Sequence, residues 1–249
     1  MCNQQQNQNR HVEPTNTAAS DLRRPQPPTA MMTAAPRLNE PAPDFEALTT
    51  HGVKKLVDYR GRWLVLFSHP SDFTPVCTTE FIAFAKSHPK FQAIQCDLLG
   101  LSIDSVFSHI AWVRNIKEKF GVEIPFPIIE DLSMRVAIAY GMVQPRASDT
   151  SAIRAVFVID PESKLRAMLY YPMSNGRSVE EILRLVQALQ MSDQQNVATP
   201  EGWKPGAKVI VPPPKTSAEA DRRAKNGGAD CVDWYFCQRE LEEPVSAIH

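Results

Sequence analysis

The sequence predicts an α/β domain: a central mixed sheet flanked by helices on both faces, with an extended C-terminal arm. Three observations predict it. Between about residues 38 and 191, short apolar runs of strand length alternate with longer stretches of helical period. That alternation closes with two strands joined by the turn "DPESK" and then a capped helix. After Met191 the chain becomes polar and rich in proline.

Taken in order, residues 1 to about 36 are rich in Gln, Asn, Thr, Pro and Ala and lack apolar periodicity, which predicts a disordered extension. Met31 and Met32 near its end leave open a start site further downstream. Residues 37–191 form the predicted domain. Leu64–Phe67 reads as a buried strand. From Cys77 onward, Phe81, Phe84, Ala85 and His88 fall at helical spacing, with Pro75 just before the helix. Leu98–Ile103 reads as a second strand. Ser105 caps a helix whose apolar residues are Val106, Ile110, Val113 and Phe120. Phe126–Ile129 is a third short run, and Ala155–Ile159 and Leu165–Tyr171 are the two joined strands. "SVEE" reads as a capping box, with Ser178 at the N-cap and Glu181 three residues on. Its helix runs to about Met191 on Ile182, Leu183, Leu185, Val186 and Leu189. Residues 192–249 form the arm, in which "GWKPGAKVIVPPP" reads as extended chain and not a core element. A weak helix at 218–225 and the segment "CVDWYFC" follow.

Composition narrows the function. The 249 residues are 43% hydrophobic and 22% charged, with a formal net charge of −1. That balance argues against nucleic acid or an anionic membrane as partner. No apolar run reaches the roughly 18 residues that span a bilayer, and no apolar leader segment marks secretion. Five cysteines, an odd number over a long chain, do not form a secreted disulfide framework. A reducing cytoplasm with functional thiols is the expectation.

The chemistry concentrates in "HPSDFTPVCTTE", residues 69–80. A helix starting at Cys77 sets the sulfur beside unpaired backbone N–H groups and the positive end of the helix dipole, both of which favour thiolate. Thr74 offers a hydroxyl three residues upstream, and Glu80 can reach back to the first turn or orient a cation. An ordinary cysteine is about 3% thiolate at pH 7, so full ionisation gains roughly thirtyfold. Nucleophilicity falls with basicity, with a slope of about 0.4–0.5, which cancels most of that gain. Groups that polarise the electrophile must supply the rest. A buried structural cysteine opening a helix remains the alternative reading of these residues alone.

The motif "HPSDFTPVCTTE" resembles the active-site motif of peroxiredoxins, specifically the one-cysteine branch and its archaeal-type relatives. "AIRAVFVIDPESKLRAMLYYPMSNGRSVEEILRLVQALQ" and "GWKPGAKVIVPPP" are similar to the same branch, and "CVDWYFC" is similar to the archaeal-type subgroup with C-terminal resolving cysteines. The resemblance covers about residues 37–240 and leaves the first 36 aside. It implies a thioredoxin-like fold and thiol-dependent reduction of hydrogen peroxide and organic hydroperoxides, without a cofactor or a metal. It implies that Cys77 is the peroxidatic nucleophile and that Thr74 hydrogen-bonds the thiolate or the peroxide. Pro70 would shield the pocket, and Arg154 would lie beside the sulfur. Glu80 would orient that arginine, Arg177 would support the cluster, and His69 would line the entrance. A homodimer assembled into a larger ring and a thioredoxin-like or other thiol reductant follow as expected partners.

The five cysteines divide by position. Cys96 in "IQCDLL" is expected in the core, and Cys2 lies in the N-terminal extension. The resemblance favours Cys237 of a neighbouring chain as the first thiol to attack oxidised Cys77. Cys231 would then displace it to give a Cys231–Cys237 pair. Trp234, Tyr235 and Phe236 would anchor the arm. Independently of the resemblance, the long apolar strand Leu165–Tyr171 predicts an edge that pairs with its symmetry mate. Some one-cysteine members resemble a serine lipase at the residue before Trp63. Here that residue is Arg62, so no phospholipase activity is carried over. A general dithiol–disulfide oxidoreductase or holdase is the competing function, but its usual C-x-x-C is absent because position 80 is Glu80. A zinc module of Cys231, Cys237 and His249 has looser spacing than usual.

Overall fold

The computed structural model describes residues 36–144, 152–228 and 230–241. The N-terminal extension, with Cys2, Met31 and Met32, and His249 of the zinc reading lie outside the described residues.

The elements are β1 (Glu46–Thr49), β2 (Gly52–Lys55), a 3-10 turn (Leu56–Tyr59), β3 (Trp63–Ser68), α1 (Pro75–Ala93), β4 (Cys96–Ser102), α2 (Val106–Phe120), β5 (Ile128–Glu130) and α3 (Arg135–Ala139). They continue with β6 (Arg154–Ile159), β7 (Leu165–Tyr171), α4 (Val179–Gln195), β8 (Val209–Ile210), α5 (Ser217–Asn226), β9 (Cys231–Asp233) and β10 (Phe236–Arg239). A seven-stranded sheet runs in the order β2-β1-β5-β4-β3-β6-β7. The pairs β3–β4 and β4–β5 are parallel, and β3–β6 and β6–β7 are antiparallel, so the sheet is mixed as predicted.

Strand β3 explains why the sheet needs cover on both sides. Trp63, Val65 and Phe67 enter one core with Phe81, Phe84, Trp112, Ile182 and Val186 from the helices. Leu64 and Leu66, on the opposite face, enter a second core with Tyr140, Met142 and Phe157. Side chains alternate along a strand, so a strand apolar at every position can serve only as a buried central one.

Several expectations are corrected. Helix α1 begins at Pro75 with Thr74 at its N-cap, two residues earlier than Cys77, so Pro75 is the first helical residue. The position suits it, because the first N–H of a helix has no intrahelical partner. In α2 the buried residues are Val106, His109, Trp112 and Ile116, whereas Ile110 and Phe120 are exposed. The helix carries apolar residues on two stripes, and only packing against the sheet selects one. Ser178 accepts from the Glu181 N–H at 3.2 Å, but the Glu181 carboxylate turns to Arg184 and does not close the box. The charge-assisted, two-pronged bond to a guanidinium outweighs a single bond to a backbone N–H.

The C-terminal segment is more than an extended arm. Strands β8, β10 and β9 form a three-stranded sheet. Trp203 and Val209 bury against Ala188 of α4 and Val197. The Trp203 ring carries enough apolar area to found a small satellite core, and its Nε1 donates to the Ala207 carbonyl at 3.0 Å. The hairpin β1–β2 was not predicted from sequence. Leu48 and Val53 are both exposed, so the hairpin has no alternation of buried and solvated residues to read.

Candidate active site

Three elements converge on one sulfur. Cys77 is the third residue of α1, fully buried, in the turn whose backbone N–H groups lack intrahelical partners. Arg154 opens β6, beside the end of β3, and its Nη1 lies 3.3 Å from Cys77 Sγ. The same Nη1 donates to Glu80 Oε2 at 2.7 Å, and Arg154 Nε donates to the Met173 carbonyl at 2.9 Å. Glu80, one helical turn beyond Cys77, also receives Arg177. The Arg177 backbone N–H and Nε donate to Oε1 at 2.7 and 2.8 Å, and Nη2 donates to Oε2 at 2.8 Å. Arg177 Nη1 reaches the Ser68 and Ala155 carbonyls, both at 2.8 Å, tying the cluster to β3 and β6.

The cluster is almost dry. Arg154, Glu80 and Arg177 are 3%, 2% and 6% exposed. Burial alone would raise the Glu80 carboxyl, but the bonds and charge of Arg177, with Arg154 behind, hold it below the usual carboxylate range. One carboxylate faces two guanidinium groups, so the cluster has one positive charge in excess, next to the sulfur. An anion formed there has its counter-charge already in place.

The remaining sequence-predicted residues fall less uniformly. Pro70 is buried at the end of β3. The Thr74 hydroxyl donates to the Ser71 carbonyl at 2.8 Å, not to the sulfur. His69 does not line an entrance. It is fully buried, its Nε2 2.8 Å from Asp72 Oδ1, because an imidazole packed on Phe81 and Trp112 finds its partner inside the loop. Cys96 is buried, and burial, with Asp97 adding to it, pushes its thiol well above the ordinary range. It stays a thiol. Arg62 is engaged by Asp97 at 2.9 Å. Cys231 and Cys237 are joined by a disulfide, across the register pair that links β9 and β10.

Two groups escaped the sequence reading. Asp72 lies inside the quoted motif and joins His69 to His109 of α2, with Oδ2 2.8 Å from His109 Nδ1. The signal for His109 was its place three residues before Trp112 and seven before Ile116. Among the described residues, His69, Asp72 and His109 are the group whose donor atoms lie close enough for a metal ion, within 4.8 Å of one another. Those atoms are already matched to each other at hydrogen-bond length.

Residues 38–168 match the AhpC/TSA family, and residues 188–227 match the C-terminal domain of 1-Cys peroxiredoxin. A peroxiredoxin of Aquifex aeolicus is 56% identical over 217 residues, covering 83% of this chain and 97% of that protein. The chain belongs to the peroxiredoxin family. A peroxiredoxin of Archaeoglobus fulgidus is 51% identical, over 83% of this chain and all of its own length. Among solved structures, the yeast mitochondrial 1-Cys peroxiredoxin aligns with a TM-score of 0.72 at 41% identity, over 82% of this chain and 99% of its own. A cysteine-to-serine mutant of the peroxiredoxin 6 of Arenicola marina gives 0.73 at 36% identity, over 83% and 99%. The fold is therefore the thioredoxin-like one of this family, of the one-cysteine type with archaeal relatives, and a peroxiredoxin is a thiol peroxidase. No described helix is long and apolar enough to cross a membrane.

Proposed function

We propose that this peroxiredoxin reduces hydrogen peroxide and organic hydroperoxides through Cys77, and that a neighbouring chain's C-terminal cysteines resolve the product. The observation that carries the first half is Arg154 Nη1 at 3.3 Å from a buried sulfur, held there by Glu80. Cys77 S⁻ attacks one peroxide oxygen, the O–O bond breaks, and the departing RO⁻ takes up a proton as water or alcohol. Cys77 is left as a sulfenic acid. Arg154 balances charge on the sulfur and on the departing oxygen. The Thr74 hydroxyl has one hydrogen and two lone pairs, so it can turn its hydrogen from Ser71 to the bound peroxide. Pro70 excludes water, while Glu80 and Arg177 fix the arginine.

In the second half, the Cys237 thiol of the neighbour attacks the sulfenic sulfur, releasing water and forming a mixed disulfide. Cys231 then attacks the Cys237 sulfur and frees Cys77. The Cys231–Cys237 disulfide of the small sheet supports this order, because it is the product such a relay leaves. Val232, Trp234, Tyr235 and Phe236 around it are exposed, which suits a hairpin that docks on another chain. A dithiol reductant of the thioredoxin kind would reopen that disulfide. The yeast relative is described as resolved through glutathione and thioredoxin systems. A reducing cytoplasm is the compartment we expect for this cycle.

Two measurements test it. Cys77→Ser should abolish peroxide consumption, since a serine hydroxyl is a poor nucleophile at neutral pH; full activity would end the reading. On non-reducing gels after peroxide, the wild type should give a linked dimer. Cys237→Ser should lose most of it and Cys231→Ser should accumulate it. A dimer band at wild-type intensity in Cys237→Ser would remove Cys237 from its role. A general dithiol oxidoreductase would instead reduce protein disulfides without consuming peroxide.

A further inference from the structure

The loop from β3 to α1, residues 69–74, contains a conformation that needs support. Phe73 has φ 54°, in the left-handed region that bulky residues rarely occupy. Such a residue persists only where its surroundings over-determine it. Here the supporting contacts meet at Asp72. Its two carboxyl oxygens lie 2.8 Å from His69 Nε2 and 2.8 Å from His109 Nδ1. Its backbone N–H donates to Asp104 Oδ2 at 3.0 Å, and Asp104 also accepts from the Ser71 and Ser102 hydroxyls. His69 and His109 are fully buried and Asp72 is 5% exposed.

Counting hydrogens fixes the charges. His109 Nε2 lies 3.0 Å from the Ile129 carbonyl oxygen. A carbonyl only accepts, so this nitrogen carries a hydrogen. In a neutral ring, Nδ1 would then be a bare lone pair facing a carboxyl oxygen at 2.8 Å. Two lone pairs at that distance repel, so a proton lies between them. Burial alone would raise the Asp72 carboxyl, but its bonds to His109 and His69 hold it well below its ordinary value, as a carboxylate. A carboxylate with a ring N–H donor on each oxygen carries no hydrogen of its own, and this geometry assigns the shared proton to His109. Burial lowers His69, which keeps one hydrogen for Asp72 and leaves Nδ1 without a partner among the described residues. Besides Asp72, the acidic groups on the surrounding segments are Asp104, before α2, Glu130 of β5, which accepts the Val106 N–H at 3.0 Å, and the buried Asp131, which accepts the Val136 and Ala137 N–H groups.

We propose that His109 is a positioning residue of the peroxidase site: as an imidazolium it forms a buried ion pair with Asp72 that pins the 69–74 loop to α2 and holds the Thr74 hydroxyl in place. This rests on the reading of Cys77 and Thr74 given above. The pair acts on peroxide through the loop, not by contact.

The test has two parts. In the wild type at neutral pH, ¹⁵N NMR should show hydrogen on both ring nitrogens of His109, assigned by comparison with His109→Gln. A neutral ring would overturn the ion pair. His109→Leu leaves a buried carboxylate one partner short. It should slow oxidation of Cys77 by peroxide by about 10- to 100-fold, the scale of a small misplacement. Alkylation of Cys77 by iodoacetamide, which needs no Thr74, should change less than about threefold. An equal fall in both reactions would reduce His109 to general packing. His109→Gln keeps one donor and similar bulk, and it should show the same selective loss in smaller degree should the leucine variant fail to fold. Asp72→Asn removes the negative charge but keeps a donor for a neutral His109 and an acceptor for His69, so it should show the same selective slowing of Cys77 oxidation in smaller degree. A wild-type rate there would show that neutral hydrogen bonds suffice and would overturn the ion pair. If Cys77→Ser stays active while the ring pattern holds, the fault lies with the peroxidase reading and not with the ion pair.

Discussion

Glu80 is the residue on which the site turns. Among the described residues it is the only carboxylate bonded to both guanidinium groups beside Cys77, and without it two buried cations would stand unpaired. Glu80→Gln should lower unfolding stability at pH 7 by about 3–5 kcal/mol. The pH dependence follows from the depressed carboxyl. The unfolded chain takes up a proton near its ordinary value of about 4.3, before the folded chain does. Wild-type stability from this group is therefore complete above that pH and is lost as pH falls through the folded value. The gap between wild type and Glu80→Gln should narrow on acidification; denaturant titrations that show a constant gap from pH 7 to 3 would contradict this. The role proposed for Arg154 is in the rate. Arg154→Met should slow sulfenic acid formation by about 100- to 1,000-fold, the cost of losing a donor to a developing anion. The comparison belongs on the high-pH plateau of each rate profile, where ionisation no longer differs. Equal plateaus would leave Arg154 no part in stabilising the departing oxygen.

At the scale of elements, α1 and α4 show how local signals and packing divide the work. Pro75 and the N-cap Thr74 start α1 at a fixed point, and that start places Cys77 in the first turn. Helix α4 starts where "GRS" ends, and its N-cap Ser178 is the residue next to Arg177. Ser178→Ala should cost about 1 kcal/mol of stability by leaving the Glu181 N–H without its acceptor. Thermal melts at neutral pH read that directly, and an unchanged midpoint would show the cap to be idle. Fraying of the first turn of α4 would loosen the adjacent Arg177 backbone, so a small loss of peroxide rate should accompany it. The small sheet β8–β10–β9 carries the two C-terminal thiols as register partners, an arrangement that a disulfide can span without moving the core.

For the whole molecule, the sheet ends at β7, whose outer edge has no strand beside it among the described residues. Tyr170 is exposed on that strand, and Met173 follows it. A seven-residue edge, apolar but for Arg166, invites pairing with a second copy. We expect a homodimer as the minimal unit, assembled further into a ring. Light scattering at micromolar concentration should give at least twice the chain mass of 27.9 kDa. A stable monomer would contradict both the edge pairing and the relay between chains, since the relay needs a neighbour.

The sequence by itself determined the class of fold, the order of most strands and helices, and the place of Cys77 near the start of a helix that follows a buried strand. Apolar runs, caps and turn residues are local, and each can be read within a few positions. It also marked Arg154 and Arg177, but only through resemblance, because nothing local in "AIRAVF" or "NGRS" says that they meet 23 residues apart over one carboxylate. Tertiary structure decided the rest. It chose which stripe of α2 faces the core, and so buried His109 and exposed Phe120. It turned His69 inward, where Asp72 offers a bond that water would otherwise supply. It gave Trp203 a place to bury, which made a small core from a segment that reads as loose chain. In each case the sequence offered more than one surface to hide, and the choice depended on what the rest of the chain brought alongside.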